Sequence, residues 1–193
     1  PHLPALFFLH ANASGLSAQA FVRFGLFLGF GSSHSVVMKT PIDRSDIRPK
    51  FWETHALEDL SRPEWEALCD GCGRCCLLKL EDEDSGEIAY TNIACRLFDE
   101  ATCSCGNYAL RRQIVAGCVV LTPENIARTA YWMPSTCAYR LLFEGKPLFD
   151  WHPLISGDTQ SVAAAGLTMQ GKTIPEYDID QDDLEDYIIE GIV

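Results

Sequence analysis

Leu68-Cys69-Asp70-Gly71-Cys72-Gly73-Arg74-Cys75-Cys76 places four cysteines within eight residues at the spacing C-x2-C-x2-C-C. Two residues between successive thiols let a tight turn aim both sulfurs at one ion. Gly71 and Gly73 supply the positive backbone angles such a turn needs. Thiolates bind zinc, Cu(I) and iron–sulfur clusters in preference to hard, oxygen-loving ions. The stretch therefore reads as the ligand loop of a metal-binding protein.

Five more cysteines follow, at 95, 103, 105, 118 and 137. One tetrahedral site takes four ligands and two sites take eight. One arrangement uses Cys69, Cys72 and Cys75 with a distant partner and sends Cys76 to a second group, because neighbouring side chains in an extended segment point to opposite sides. Cys95, Cys105 and Cys118 are the natural distant partners. Cys103-Ser104-Cys105 either chelates through both sulfurs or leaves one spare. Cys103 and Cys137 stand outside the tightest pattern, and simple burial of a free thiol competes with ligation at both. Spacing does not choose the metal: Cys69-x2-Cys72-x2-Cys75 is also the three-cysteine run of bacterial ferredoxins, matched only in part because Leu77 follows Cys76. The cofactor expected is zinc or iron, an iron–sulfur cluster included.

His152, in Trp151-His152-Pro153-Leu154, is a further candidate ligand or base, with a hydrogen-bonded structural histidine as the competing reading. His55 falls on the surface of an early helical stretch. Seven basic residues between 69 and 140 (Arg74, Lys79, Arg96, Arg111, Arg112, Arg128 and Arg140) either offset thiolate charge or are solvated surface, and the sequence singles out none of them. No G-x-S-x-G, P-loop, Rossmann fingerprint or H-E-x-x-H is present, so no enzyme class gains positive support.

A chain of 193 residues suits one domain, and 47% hydrophobic with 22% charged residues describes a soluble globular protein. The net charge of −12 argues against sequence-independent nucleic-acid binding and against an anionic membrane surface as partner. The odd cysteine count and the adjacent Cys75-Cys76 pair fit a disulfide framework less well than metal ligation in a reducing cytoplasm.

Charge divides the chain. Residues 1–37 carry only Arg23, whereas 38–193 hold 14 basic and 27 acidic groups. Met38-Lys39-Thr40 looks like an ordinary protein start, so 1–37 is expected to be a non-native upstream or disordered segment and 38–193 the cysteine-cluster domain. Leu3–Leu9 followed by Ala11-Asn12-Ala13 resembles a signal sequence but lacks the basic n-region. Phe21–Phe30 is too short for a span of about 20 residues.

The expected fold is a small α+β domain with short helices, a β-hairpin and a cysteine-rich centre stapled by metal. Phe51 to Leu60 is helix-compatible. Ser61-Arg62-Pro63-Glu64 opens a helix by N-cap, early proline and a glutamate at the third position, delivering Cys69 at its end. Leu77–Leu80 and Ile88–Ile93 read as a hairpin around the acidic turn 81–86, which returns Cys95 towards the loop. Helices are expected over 108–116, from Thr122, over 135–144 and at 161–165, with Trp151–Leu154 an extended loop and Tyr177–Glu190 an acidic surface helix.

These words resemble a known family. Trp65-Glu66-Ala67-Leu68-Cys69-Asp70-Gly71-Cys72-Gly73, Cys75-Cys76, Leu80-Glu81-Asp82-Glu83-Asp84, Thr91-Asn92-Ile93-Ala94-Cys95-Arg96, Thr136-Cys137-Ala138-Tyr139-Arg140-Leu141 and Trp151-His152-Pro153-Leu154 are similar to the bacterial YcgN-type cysteine-cluster proteins. These belong to a wider group, the YkgJ type included, described as carrying a zinc- or iron-chelating C-x2-C-x2-C-C domain. The resemblance runs from about Phe51 to the end and includes all nine cysteines. It implies a small cytoplasmic bacterial protein that chelates metal, without assigning it a reaction. It also implies that Cys69, Cys72, Cys75, Cys76, Cys95, Cys105 and Cys118 recur across the wider group, while Cys103 and Cys137 are particular to the YcgN type. Val115-Ala116-Gly117-Cys118 departs from the relatives' proline and acidic residue there. Metal chelation is the function expected. An iron–sulfur redox or electron-transfer protein and a metal-shaped interaction module with an acidic tail are the alternatives.

Overall fold

Phe51–Thr54 forms one helical turn, α1, that stops at the extended backbone of His55. Leu57 and Leu60 fall about 240° and 180° around a continuous helix from Phe51, so one straight helix would not bury all three. A break and a 3-10 turn over Leu57–Asp59 let Leu57 and Leu60 pack on the same core as the fully buried Phe51. This computed structural model describes residues 42–192; the expectation for residues 1–37 lies outside the described residues.

Arg62–Ala67 is the second helix, α2, with the complete capping box anticipated from Ser61 and Glu64. Glu64 is 1% exposed and pairs with Arg48 at 2.6 Å, so the same carboxylate ties the helix entry to the preceding strap. Trp65 meets Tyr139 with ring centroids 4.9 Å apart, its Nε1 donates to the Leu121 carbonyl, and Tyr139 Oη donates to the Trp65 carbonyl. A rigid α2 thus hands the chain to the cysteine loop at Leu68.

Leu77–Glu81 and Ile88–Ala94 form β1 and β2, the antiparallel hairpin the sequence predicts, closed by Asp82 accepting from the N–H groups of Asp84 and Ser85. The register shifts between Leu77 and Lys79. There the buried Thr91 hydroxyl donates to the Leu78 carbonyl and accepts from the Ile93 N–H, replacing ladder bonds lost at the irregularity. Leu78, Leu80 and Ile93 pack on Leu184, whereas Leu77, Tyr90 and Ala94 pack on Cys103 and Met169. With cores on both faces, β1 is buried throughout except at its last residue.

Phe98–Asp99 (β3) and Ser104–Cys105 (β4) make a second small antiparallel ladder that the sequence reading passes over. Arg111–Ile114 (α3) is a single turn rather than the longer helix expected over 108–116. It buries none of its residues, and short helices persist by packing. Ile126–Thr129 (α4) begins after the expected Thr122 entry, because Asn125 Oδ1 first closes a turn on the Thr122 N–H. Ala138–Phe143 (α5) follows, ended near Gly145, with Cys137 as its N-cap residue.

Pro153–Ser156 (α6) is a helical turn where an extended loop is expected. His152 acts as its N-cap, a role for which histidine is not among the preferred residues. Ser161–Ala164 (α7) falls where a helical turn is expected. Ile174–Pro175 (β5) pairs in parallel with β2, giving the sheet order β1-β2-β5. The acidic tail forms 3-10 turns, Glu176–Asp178 and Gln181–Tyr187, instead of an α-helix: among the described residues Leu184 is its one buried anchor, and crowded carboxylates repel. The architecture is the expected mixture of short helices and small sheets. Among the described residues, no helix is long and apolar enough to cross a membrane.

Candidate metal centre

The last carbonyls of a helix lack partners within it, and α2 ends where the cysteine loop starts. Side chains meet three of them in succession. Arg44 donates to the Ala67 carbonyl at 3.3 Å and to the Cys69 carbonyl at 2.6 Å. His152 Nε2 donates to the Leu68 carbonyl at 3.0 Å, while its Nδ1 accepts the Leu154 N–H at 3.1 Å. These partners fix the tautomer, and burial pushes the imidazole pKa down, favouring the neutral ring. Both ring nitrogens are thereby used on backbone, so His152 anchors the loop and has no lone pair directed at a metal.

Beyond Cys69, Asp70 Oδ1 accepts the Cys72 N–H at 3.0 Å, an Asx turn inside the first C-x2-C. Gly71 and Gly73 both have positive φ, 80° and 82°. At Gly73 space is limiting as well, since a Cβ would stand 2.6 Å from Cys103 Sγ and 2.8 Å from the Phe98 ring. A 3-10 turn over Arg74–Cys76 completes the loop. It is held from the far side by Arg74 Nε on the Leu167 carbonyl and by the Met169 N–H on the Cys72 carbonyl.

All nine cysteines are free thiols. Their charges are felt across two neighbourhoods. In the first, Cys69, Cys72 and Cys137 are pushed up by burial and then by the Asp70 carboxylate, with Cys75 adding to each; Cys137 reaches about 12. Backbone N–H groups of Gly71, Arg74, Arg140 and Tyr139 face these sulfurs and favour their thiolates. In the second, burial again raises Cys95 and Cys118, and both also respond to Cys105. The β3–β4 ladder accounts for this grouping, pairing Phe98 with Cys105 while the Phe98 N–H bonds the Cys95 carbonyl.

Cys75 and Cys76 lie between the two neighbourhoods. The Cys76 thiol hydrogen-bonds Cys75 and holds its pKa down to about 7, helped by Lys79, whereas Cys76 itself is raised and senses Cys95. Cys75 is exposed to solvent. The Cys95 N–H bonds the Cys76 carbonyl at 3.0 Å, so the hairpin does return Cys95 to the loop. Cys103 stands apart: its Sγ donates to the Cys72 carbonyl, accepts from the Thr168 hydroxyl, and its backbone has a positive φ of 51°.

Two cations that the sequence does not single out shape the loop. Arg44 is one. Lys79 is the other, 8% exposed, with burial pulling its pKa down to about 8 against the Cys75, Cys76 and Cys72 thiolates, which raise it. Its signal in the sequence is a charged residue inside an otherwise apolar strand, Leu77-Leu78-Lys79-Leu80.

The donor set suits a soft or borderline cation: free thiols, backbone N–H groups facing sulfur, and buried positive charge nearby. The fit is one of chemistry and neighbourhood. Among the described residues, no three His, Cys, Asp or Glu side chains converge as they would around an ion.

Comparison with known proteins agrees with that donor chemistry. Residues 68–138 match the family model described as "Putative zinc- or iron-chelating domain", of the C-x2-C-x2-C-C type. A UPF0260 protein of Cellvibrio japonicus is 56% identical over 142 residues, covering 74% of this chain and 96% of that protein. One of Rhodobacter capsulatus is 53% identical over 148 residues, 77% of this chain and 99% of that protein. One of Parvibaculum lavamentivorans is 52% identical over 145 residues, 75% and 94%. No solved structure matches. With more than half of the aligned residues identical across nearly the full length of such relatives, the chain belongs to the UPF0260 family, and its cysteine loop to the zinc- or iron-chelating domain.

Proposed function

We propose that this protein binds two metal ions, zinc or iron, through two sets of four thiolates. Cys69, Cys72, Cys75 and Cys137 form the first set, and Cys76, Cys95, Cys105 and Cys118 the second. Cys103 is the spare thiol. The observation that carries this reading is the C-x2-C-x2-C-C turn of free thiols, to which the hairpin returns Cys95 and the β3–β4 ladder brings Cys105, within a segment matching a chelating-domain model. A zinc held by four thiolates is closed to further ligands, so its contribution is structural or metal-handling rather than catalytic. Free thiols in this number belong in a reducing compartment, which supports the cytoplasm as its place.

The test is anaerobic purification of the full chain from cells supplied with both metals, followed by metal and acid-labile sulfide per chain and a visible spectrum. About two zinc per chain without sulfide or colour supports the reading. Iron with matching sulfide and charge-transfer colour replaces it with an iron–sulfur protein. Absence of bound metal overturns it.

A further inference from the structure

Lys79 lies on a strand with packed cores on both sides, paired in register with Tyr90. A buried lysine ordinarily has a carboxylate partner. None of the carboxylates among the described residues pairs with Lys79. Its ammonium instead donates to the carbonyls of Leu77 at 2.7 Å, Cys75 at 3.2 Å and Arg74 at 3.4 Å. Tyr90 and Trp132 wall it in, each ring centroid 5.1 Å from Nζ. All three N–H donors are therefore committed to the turn carrying Cys75 and Cys76.

We propose that Lys79 is a positioning residue of the chelating loop: its ammonium clamps the Arg74–Leu77 turn and sets a fixed positive charge beside Cys75 and Cys76. The proposal rests on the metal-chelating reading above. Four thiolates around a divalent ion carry two net negative charges, which are costly to bury uncompensated. One ammonium halves that excess without occupying a coordination position. A compact ammonium with three rotatable donors suits three carbonyls from one turn better than a planar guanidinium does.

The test measures zinc affinity of the full chain by competition with a chromophoric chelator. The proteins are wild type, Lys79→Met and Lys79→Arg, with Lys79→Gln as a second neutral variant that keeps a donor for the Leu77 carbonyl. The neutral variants are expected to bind zinc about 10–100-fold more weakly, the usual loss for a partner just outside the ligands. Lys79→Arg should recover part of the lost affinity.

Wild-type affinity in Lys79→Met overturns the proposal. So does Lys79→Arg binding zinc no more tightly than Lys79→Met and Lys79→Gln, which reduces Lys79 to a packing residue. If the wild type itself binds neither zinc nor iron, the chelation reading fails and this one with it, a result visible before any variant is compared.

Discussion

His152 Nε2 donates to the Leu68 carbonyl at 3.0 Å, joining residues 84 positions apart immediately before the first cysteine of the loop. The contact couples the start of α6 to the end of α2. Arg44 takes the carbonyls on either side, so the chain enters the cysteine loop with its backbone already fixed. Conformational entropy that a metal would otherwise have to remove is lost in folding instead.

Two substitutions separate the roles of His152. His152→Asn keeps a side chain able to cap α6 through the Leu154 N–H but too short for the Leu68 carbonyl. It should cost about 1–3 kcal/mol for the buried acceptor left unpaired. His152→Ala loses the cap as well, adding about 1 kcal/mol. Denaturant unfolding of the protein as isolated reads both, and wild-type stability in His152→Asn would show the Leu68 contact to be inert.

Gly71 and Gly73 should respond unequally to alanine. Both need a positive φ, a cost of about 1–2 kcal/mol for an L residue. A Cβ at Gly71 meets open space, whereas at Gly73 it collides with Cys103 Sγ and the Phe98 ring. Gly73→Ala should therefore lose about 1–3 kcal/mol more than Gly71→Ala, the usual penalty of overpacking. Equal unfolding midpoints would contradict the close approach.

The parts of this fold that the sequence announced are those built from local signals. The Ser61–Glu64 capping box sits at its residues, and two short apolar runs, Leu77–Leu80 and Ile88–Ile93, flanking an acidic turn placed the hairpin around Asp82. What escaped depends on distant contacts. The β3–β4 ladder has two residues a strand and no turn signature, yet it places Cys105 near Cys95. His152 as a helix cap, Arg44 on the Ala67 and Cys69 carbonyls and the Lys79 ammonium on the carbonyls of the cysteine turn are contacts that residue type alone does not signal. The turns of the C-x2-C-x2-C-C loop, with positive φ at Gly71 and Gly73, were legible from spacing. Cys137, outside the tightest pattern, is carried by α5, which packs on α2 through Tyr139 and Trp65.

Acid should weaken the entry to α2. Hydrogen bonds from the Arg48 guanidinium, then from Ser61, hold the Glu64 carboxyl well below its ordinary value of 4.5. A group whose folded pKa is depressed contributes stability that is fully present above its unfolded pKa and is lost as pH falls towards the folded one. Stability should therefore decline below about pH 4.5 partly through this pair. Glu64→Gln keeps a capping-box side chain but removes that titration. It should lower stability at neutral pH and flatten the acid limb of the stability profile. Parallel acid limbs in the two proteins would place the linkage elsewhere.

Cys103 and Cys137 offer the sharpest division between ligand and bystander. Cys137 lies with Asp70 and Cys75, at the start of a helix whose N–H groups favour its thiolate. Cys103 is fully engaged elsewhere, between the Cys72 carbonyl and the Thr168 hydroxyl. Serine approximates the size of cysteine but is a poor ligand for a thiolate site. Cys137→Ser should therefore lose about one of the two metals, leaving the Cys95, Cys105 and Cys118 set loaded. Cys103→Ser should keep the full complement while losing some stability, since the smaller hydroxyl fills the contact with Gly73 and Phe98 less well. Metal analysis of both variants decides. Equal metal loss in the two would mean that Cys103 ligates after all, and full retention in Cys137→Ser would remove the fourth ligand assigned to the first set.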